Sequence, residues 1–168
     1  MTMNKYITPV ISWILALWAS RVFLASLPYK FSGHPDTQHI FGTIGGWLGG
    51  ILGATPGELF TRYGAVAVGS FELLTSLVLL SPAVFWLLHK ASPGLRLPSR
   101  RIMHLFGGIM ASTVMAGAVF FHLVSPLGVE VLHEGKGDGG SLFYAAVSIL
   151  VSGIILFLIN RKTASTPE

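Results

Sequence analysis

Four long apolar stretches constrain the fold of this chain more than any other feature. Each has about 20 residues or more, the helical length that crosses a hydrocarbon layer of roughly 30 Å. Only 11% of the 168 residues are charged and 52% are apolar, too little polar surface for a soluble domain of this size. The sequence therefore predicts an all-α, four-transmembrane-helix bundle that forms a single integral membrane domain. Its spans cover about residues 7–28, 63–88, 102–124 and 141–159.

Basic residues determine the predicted orientation. The loop between spans three and four has Lys136 against three acids, whereas the loop between spans two and three and both ends are basic. Lys30 and Arg62, on the other side, are a small contrary count. Because cytoplasmic segments collect lysine and arginine, both termini are predicted to be cytoplasmic, in a bacterial cytoplasmic membrane. Arg96, Arg100 and Arg101, with His104, are predicted to bind the anionic surface of the cytoplasmic leaflet. The remaining cytoplasmic basic residues are Lys5, Lys90, Arg161 and Lys162.

Charge and cysteine content exclude several functions. The formal net charge is +4, but the basic residues flank apolar runs and do not form a patch with interleaved aromatics. Nucleic-acid binding is therefore not predicted. The chain contains no cysteine, which excludes thiolate catalysis, iron–sulfur ligation and cysteine-based zinc sites.

A glycine-rich segment separates the first two spans. Its core, residues 40–52, is apolar but too short to cross a bilayer. Glycines recur there at every fourth position, so a helix would have bare faces suited to close packing. We expect a short Gly-rich interfacial or re-entrant helix between spans one and two. A mobile lid over a binding cavity is the functional alternative for the same segment.

Ionisable residues inside the spans are the strongest candidates for a functional site. Arg21 and Glu72 interrupt apolar stretches, where a charge is costly, and their estimated depths overlap. We expect them to pair in the outer half of the bundle, either to fix helix register or to form a ligand or proton site. Lys30 and His122, near the outer ends of spans one and three, would complete an outward-facing polar cup.

The loop from Leu127 to Gly140 is predicted to fold back over this cup. Apolar residues alternate with acids along it, which indicates an extended segment with one face on the bundle. Glu130 or Glu134 would then approach Lys30, Arg62 or His122. Asp138 is expected to cap the fourth helix. A solvated connecting loop is the alternative.

Metal ligation is only weakly indicated. His34, Asp36 and His39 are metal-ligand residue types at short spacing, and His133, Glu134 and Asp138 in the other outer loop could complete a set. The spacing matches no standard arrangement, so no metal site is predicted.

Several motifs resemble one family of membrane proteins. Arg21 before Lys30-Phe31, and Gly69-Ser70-Phe71-Glu72-Leu73 before a small-residue third span ending at His122, are similar to the DoxX/DoxX-like four-span proteins. The resemblance covers nearly the whole chain. More specific are the runs HIFGTIG at 39–45, FHL at 121–123, LGVEV at 127–131 and DGGSLF at 138–143.

The resemblance implies a membrane subunit and leaves its activity open. One relative is a subunit of a thiosulfate:quinone oxidoreductase, and others are described as partners in membrane-bound oxidoreductase or stress-response complexes. This chain departs from the pattern by a glycine-rich insertion at about 45–62, which would lie across the outer face and puts the transfer of a docking surface in doubt.

Three hypotheses follow. The first is a redox-linked membrane subunit that binds a quinone or small anion in the outer cup, where Arg21 and Lys30 hold an oxygen and Glu72 and His122 handle protons. It would need an oxidoreductase partner besides membrane lipid. The second is a non-catalytic scaffold or assembly factor. The third is a small transporter, although no internal repeat favours it. The cofactor, with quinone as the candidate, and a homo-oligomeric state stay open.

Overall fold

The computed structural model describes residues 6–161, and helices dominate this range. The helices are α1 (Ile7–Ser32), α2 (Pro35–Leu52), α3 (Ala54–Ala91), α4 (Arg100–Val124) and α5 (Ser141–Asn160), and a hairpin of β1 (Leu132–His133) and β2 (Lys136–Gly137) lies between the last two. Lys5 and Lys162, which contribute to the predicted orientation, lie outside the described residues.

Four of these helices are long and apolar enough to cross a membrane: α1, α3, α4 and α5. No more than 33% of the most apolar window of any of them is buried inside the protein. Most of their apolar surface therefore faces outward, as contact with lipid requires. The prediction of an all-α fold with four helices able to span a membrane is confirmed.

The four helices form a bundle in which α1 lies beside α3, α3 beside α4, α4 beside α5, and α5 beside α1. Small residues predominate at the centre, because lipid tails give no hydrophobic drive to helix pairing and close approach must supply the attraction. The central core contains Ala16, Ala19, Phe23, Leu79, Ala111, Met115, Ala146, Ile149 and Leu156.

The α4–α5 contact depends on two glycines. A Cβ atom added to Gly108 would lie 2.7 Å from the carbonyl oxygen of Gly153, and one added to Gly153 would lie 2.7 Å from the carbonyl oxygen of Gly108. These distances are shorter than side chains tolerate, so the two backbones touch directly. This is the close approach that small residues permit between membrane helices.

The second span starts earlier than predicted. Helix α3 has 38 residues, about 57 Å at 1.5 Å per residue, and it begins at Ala54 instead of about residue 63. The reason is a glycine contact with α2, in which a Cβ atom on Gly57 would lie 2.6 Å from the Cα atom of Gly49. Gly53, with φ of 99°, makes the turn between the two helices. The glycine-rich segment is therefore part of an 18-residue helix packed along α3.

Two prolines lie inside helices, and the first of them, Pro28, does not end α1 as the predicted span suggests. Pro28 lies inside α1, which continues to Ser32, and Pro82 lies inside α3, which continues to Ala91. Proline is tolerated inside membrane helices because neighbouring groups satisfy the freed backbone carbonyl.

The glycine contact between α4 and α5 generates the first prediction. Gly153→Ala should lower the free energy of unfolding by about 1–3 kcal/mol, because the added methyl group forces the two backbones apart. Thermal unfolding in detergent measures the change. Gly117→Ala is the matched control on α4, since a Cβ atom at Gly117 meets nothing within 4 Å. Equal effects of the two substitutions would contradict this account of the packing.

Candidate functional site

A buried ion pair joins α1 to α3 at one end of the bundle. The Nζ atom of Lys30 lies 2.7 Å from Oε2 of Glu72, and the two side chains are 16% and 3% exposed. Ser26, one turn before Lys30 on α1, lies between them. Close approach is allowed by Gly69 on α3, where an added Cβ atom would lie 3.0 Å from the ring of Phe31.

All hydrogen bonds to the Glu72 carboxylate involve one oxygen. Lys30 donates to Oε2 and also to the Ser26 hydroxyl at 2.8 Å, and that hydroxyl lies 2.9 Å from Oε2. Within residues 6–161 the Oε1 atom has no hydrogen-bond partner. The arrangement neutralises the two charges inside the bundle and leaves one carboxylate oxygen unused.

Arg21 does not join this pair, so the predicted Arg21–Glu72 contact is wrong. Arg21 is exposed, and no hydrogen bond or ion pair links it to another residue of the described range. The reason is helical geometry: Arg21 and Lys30 are nine residues apart, which at about 100° per residue places them on opposite faces of α1. Similar depth in the membrane did not imply a shared face.

His122 also lies apart from the ion pair. It is 7% exposed, and its Nδ1 atom donates to the carbonyl oxygen of Gly128 at 2.6 Å. Its ring packs edge-on against Phe143 at 5.6 Å. No described contact joins His122 to Lys30 or Glu72, so the predicted outer cup is not assembled. His122 instead anchors the start of the α4–α5 loop.

This loop folds onto the bundle through its apolar residues and not through its acids. Leu127 and Val131 are buried, each 6% exposed, and both pack with Ile44. Val129 is exposed, because Gly128, with φ of 73°, breaks the predicted alternation. The other members of this cluster are Ile40, Leu48, Phe60 and Phe121.

The predicted ion pairs of the loop are absent from the described residues. Glu130 is exposed and packs against Gly137 in the β1–β2 hairpin, and neither it nor Glu134 forms an ion pair with Lys30, Arg62 or His122. The hairpin turns the acids away from the bundle, because the antiparallel pairing of Leu132 with Gly137 keeps the chain folded on itself.

Asp138 organises the end of the loop. Its carboxylate accepts hydrogen bonds from the backbone N–H groups of Val131 at 2.8 Å and of Gly140 and Leu142, both at 2.9 Å. Burial by itself raises the pKa of this carboxyl. These three bonds and one from the Ser141 hydroxyl lower the pKa by more than burial raises it, so the pKa lies below its usual value. The predicted cap at the start of the fourth span is confirmed.

A cluster of imidazoles connects α2 to the hairpin. His133 donates from Nδ1 to Asp36 at 2.7 Å, and its ring stacks on His39 at 4.5 Å. His34 lies 3.5 Å from the same carboxylate. The segment with His34, Asp36 and His39 therefore meets the α4–α5 loop at His133, as the weakly indicated metal site would require. Even so, no group of three or more histidine, aspartate or glutamate side chains among residues 6–161 is arranged to hold a metal ion.

Sequence reasoning missed a buried polar network at the opposite, basic end of the bundle. His104 on α4 is 0% exposed and hydrogen-bonds to two other helices, α1 and α3. Its Nδ1 atom lies 2.7 Å from the hydroxyl of Ser12 on α1, and its Nε2 atom lies 3.1 Å from the carbonyl oxygen of Leu79 on α3. Asn160, the last residue of α5, donates to the Ser12 hydroxyl at 2.9 Å.

One neutral form of His104 satisfies every bond in this network. A carbonyl oxygen can only accept, so Nε2 carries the hydrogen and donates to Leu79. Nδ1 then accepts from the hydroxyl of Ser12, whose oxygen accepts from Asn160. The prediction that His104 holds the leaflet surface is wrong, because the side chain is enclosed by the bundle.

Two arginines close the network toward the helix ends. Arg101 donates to the carbonyl oxygens of Asn160 at 2.7 Å and Arg161 at 2.6 Å, and Arg100 lies 3.4 Å from the Asn160 amide oxygen. Arg101 thereby satisfies backbone carbonyls at the end of α5, whereas Arg100 donates to the side-chain amide of Asn160. The signal for the network was available: Ser12, His104 and Asn160 are each polar residues in apolar stretches at the same end of the bundle.

A cavity of about 1060 Å³ opens beside this network. One wall is Trp13, whose ring also packs edge-on against His104 at 4.8 Å. The lining is mostly apolar and aromatic, and Arg100 and His89 contribute hydrogen-bond donors. The other lining residues are Pro82, Ala83, Phe85, Trp86, Leu87, Pro93, Gly94, Leu95, Arg96, Leu97 and Pro98.

Comparison with known proteins adds no relative: no family model, no curated protein and no solved structure matches this chain. The resemblance to DoxX-like proteins therefore depends on the motifs alone.

The outer ion pair predicts a non-additive pattern of stability. Lys30→Met should lower the free energy of unfolding by about 3–5 kcal/mol, because it leaves the buried Glu72 carboxylate uncompensated. The double variant with Glu72→Gln should be more stable than Lys30→Met alone. Denaturant unfolding in detergent measures both. Lys136→Met, at an exposed position of β2, is the control and should change stability by less than about 0.5 kcal/mol. Additive single effects would argue against a coupled pair.

Asp138 predicts an acid-sensitive start of α5. A carboxyl with a lowered pKa stabilises the folded loop fully above its unfolded pKa, about 4, and loses that contribution as the pH falls through the lower folded value. Hydrogen-exchange protection of the Leu142 amide should therefore fall below about pH 4. The amide of Ile149, in the middle of α5, is the internal control. Asp138→Asn, which cannot titrate, should abolish the pH dependence, and its persistence would assign it to another group.

Proposed function

We propose that this protein is a redox-linked membrane subunit of the DoxX-like type that binds a quinone headgroup in the cavity at the basic end of the bundle. The observation that carries the proposal is the cavity itself, about 1060 Å³ in volume and lined by Trp13, Trp86 and Phe85 with donors from Arg100 and His89. Its size lies at the upper end of ordinary small-molecule sites, about 300–1,000 Å³.

The lining matches the chemistry of a quinone. The headgroup is a flat ring with carbonyl oxygens on opposite edges and an apolar tail. Indole and phenyl rings offer flat apolar surface to the ring. The guanidinium of Arg100 donates hydrogen bonds in a plane, which suits a carbonyl oxygen at the edge of the ring. The tail would lie among the outward apolar surfaces of the helices.

The basic-end cavity is a better ligand site than the outer cup expected from the sequence. At the outer end Lys30 and Glu72 neutralise each other, so a quinone oxygen or a small anion would have to displace a buried carboxylate to reach the ammonium group. The Arg21 side chain faces away from that position. A ligand in the basic-end cavity would instead meet donors that line an existing opening.

The chain depends on a partner for electron transfer. It has no cysteine, so iron–sulfur clusters and dithiol exchange belong to another subunit. We place the basic end, with both termini, in the cytoplasm of a bacterium, because the positive-inside rule favours that side for the loop between α3 and α4. We place α2 at the opposite face as an interfacial or re-entrant helix.

A scaffold or assembly factor is the second candidate, favoured by the hydrogen-bonded His104 network at the basic end and the Lys30–Glu72 ion pair at the outer end. Satisfied networks of this kind specify one arrangement of helices without any ligand. No observation favours the small transporter.

Tryptophan fluorescence tests the proposal. A short-chain benzoquinone added to the purified protein in detergent should quench Trp13 and Trp86 in a saturable manner. Arg100→Gln should weaken the apparent affinity by about tenfold, the effect of losing a hydrogen bond to a charged donor. The double variant Trp13→Phe/Trp86→Phe should lose most of the saturable quenching.

Trp47→Phe is the matched control. Trp47 packs against Phe120 and Phe121, away from the cavity lining, so its removal should leave the saturable quenching in place. Quenching that is linear in quinone concentration, or unchanged by Arg100→Gln and by the double variant, would reject the cavity site and favour the scaffold.

A further inference from the structure

The outward face of α1 carries a regular stripe with one charge at its centre. Its members follow one another at alternating intervals of four and three residues, and each of them is exposed. This is the spacing with which membrane helices pack side by side in left-handed pairs. The stripe consists of Val10, Ile14, Leu17, Arg21, Leu24 and Pro28.

Arg21 lies far from both polar ends of the bundle. It is nine residues after Ser12, in the basic-end network, and nine before Lys30, in the outer ion pair, so about 14 Å of helix separates it from each. No described residue forms a hydrogen bond or ion pair with it. A lone charge on the lipid-facing side of a span costs at least about 2.5–3.5 kcal/mol on insertion scales.

We propose that this face binds a transmembrane helix of another protein that carries an aspartate or glutamate at the depth of Arg21. A carboxylate there would neutralise the guanidinium, which can bind it through two parallel hydrogen bonds. The apolar positions on either side of Arg21 would pack against the same helix. This inference holds whether or not the cavity binds a quinone.

Among residues 6–161, a second copy of this chain offers no free carboxylate within a span to pair with Arg21. Glu72 is buried and paired with Lys30. A two-fold contact through this face would bring the Arg21 side chains of both copies together, which like charges oppose. The remaining described acids lie in α2, near the start of α3 or in the α4–α5 loop: Asp36, Glu58, Glu130, Glu134 and Asp138.

A lipid phosphate is a weaker match than a helix. Side chains on an α-helix lean toward its N-terminus, so Arg21 leans toward the middle of α1 and away from the nearer end at Ser32. The headgroup at that end lies in the opposite direction. The regular apolar stripe also has no role in binding a phosphate, whereas it contributes to the packing of a helix.

Association with designed helices in vesicles tests the proposal. The probe is a single-span Leu/Ala helix with one Asp at the depth of Arg21 and a heptad-spaced Leu face, labelled for energy transfer to the full-length protein in phosphatidylcholine vesicles. The Asp probe should bind at least about fivefold more tightly than the same helix with Leu, as interhelical polar contacts of 1–2 kcal/mol allow. Arg21→Leu should remove this preference, and Arg21→Lys should retain part of it.

Charge reversal at position 21 distinguishes a specific ion pair from non-specific association of helices. The Arg21→Glu variant should no longer prefer the Asp probe and should instead bind a probe that has Lys in place of that Asp. Circular dichroism checks that each variant keeps its helix content, which is expected because position 21 faces outward. Equal binding of the Asp and Leu probes to the wild type would overturn the proposal. Discrimination that appears only when anionic phosphatidylglycerol is omitted would also overturn it, because lipid phosphate would then be the preferred partner of Arg21.

Discussion

The bundle depends on one buried histidine. His104, Ser12 and Asn160 are buried and connect α1, α3, α4 and α5 at a depth where an unpaired polar group costs several kcal/mol. The bonds form only in one rotation and one register of the four helices. Apolar packing alone would leave helices in lipid free to slide, since lipid tails compete equally for their surfaces. The network removes that freedom and fixes the wall of the neighbouring cavity through Trp13.

The opposite end of the bundle is held by an ion pair and by apolar contacts. The Lys30–Glu72 pair fixes α1 against α3. The loop after α4 is attached by apolar contacts and by the hydrogen bond that His122 donates to it, and Asp138 accepts hydrogen bonds that hold the loop in shape. The two ends therefore differ in kind: one is a complete internal network beside an open cavity, and the other is covered by α2 and a loop. The described cavity lies at the basic end, and for that reason the proposal locates its ligand site there.

The sequence predicts spans well and contacts between spans poorly. Apolar length locates four helices because the thickness of a bilayer sets a minimum length for each crossing. Depth along a helix can also be counted, but it does not determine which face a residue occupies, and the expected pairing of Arg21 with Glu72 was wrong for that reason. The angular separation of Arg21 and Lys30 could have been calculated from their positions. The hydrogen bonds of His104 could not, because they depend on the relative rotation of four helices.

The distance along the chain between Ser12 and Asn160 has a consequence for biosynthesis. These residues are 148 positions apart and hydrogen-bond directly. The ribosome delivers α1 to the membrane first and α5 last, so the Ser12 hydroxyl, which can bond His104 once α4 is present, lacks its bond from Asn160 until the final span inserts. A chain that ends before α5 would have the first three membrane helices and a Ser12 hydroxyl without its bond from Asn160. An unpaired polar group of this kind distinguishes an incomplete chain for the membrane chaperones and proteases that remove such chains.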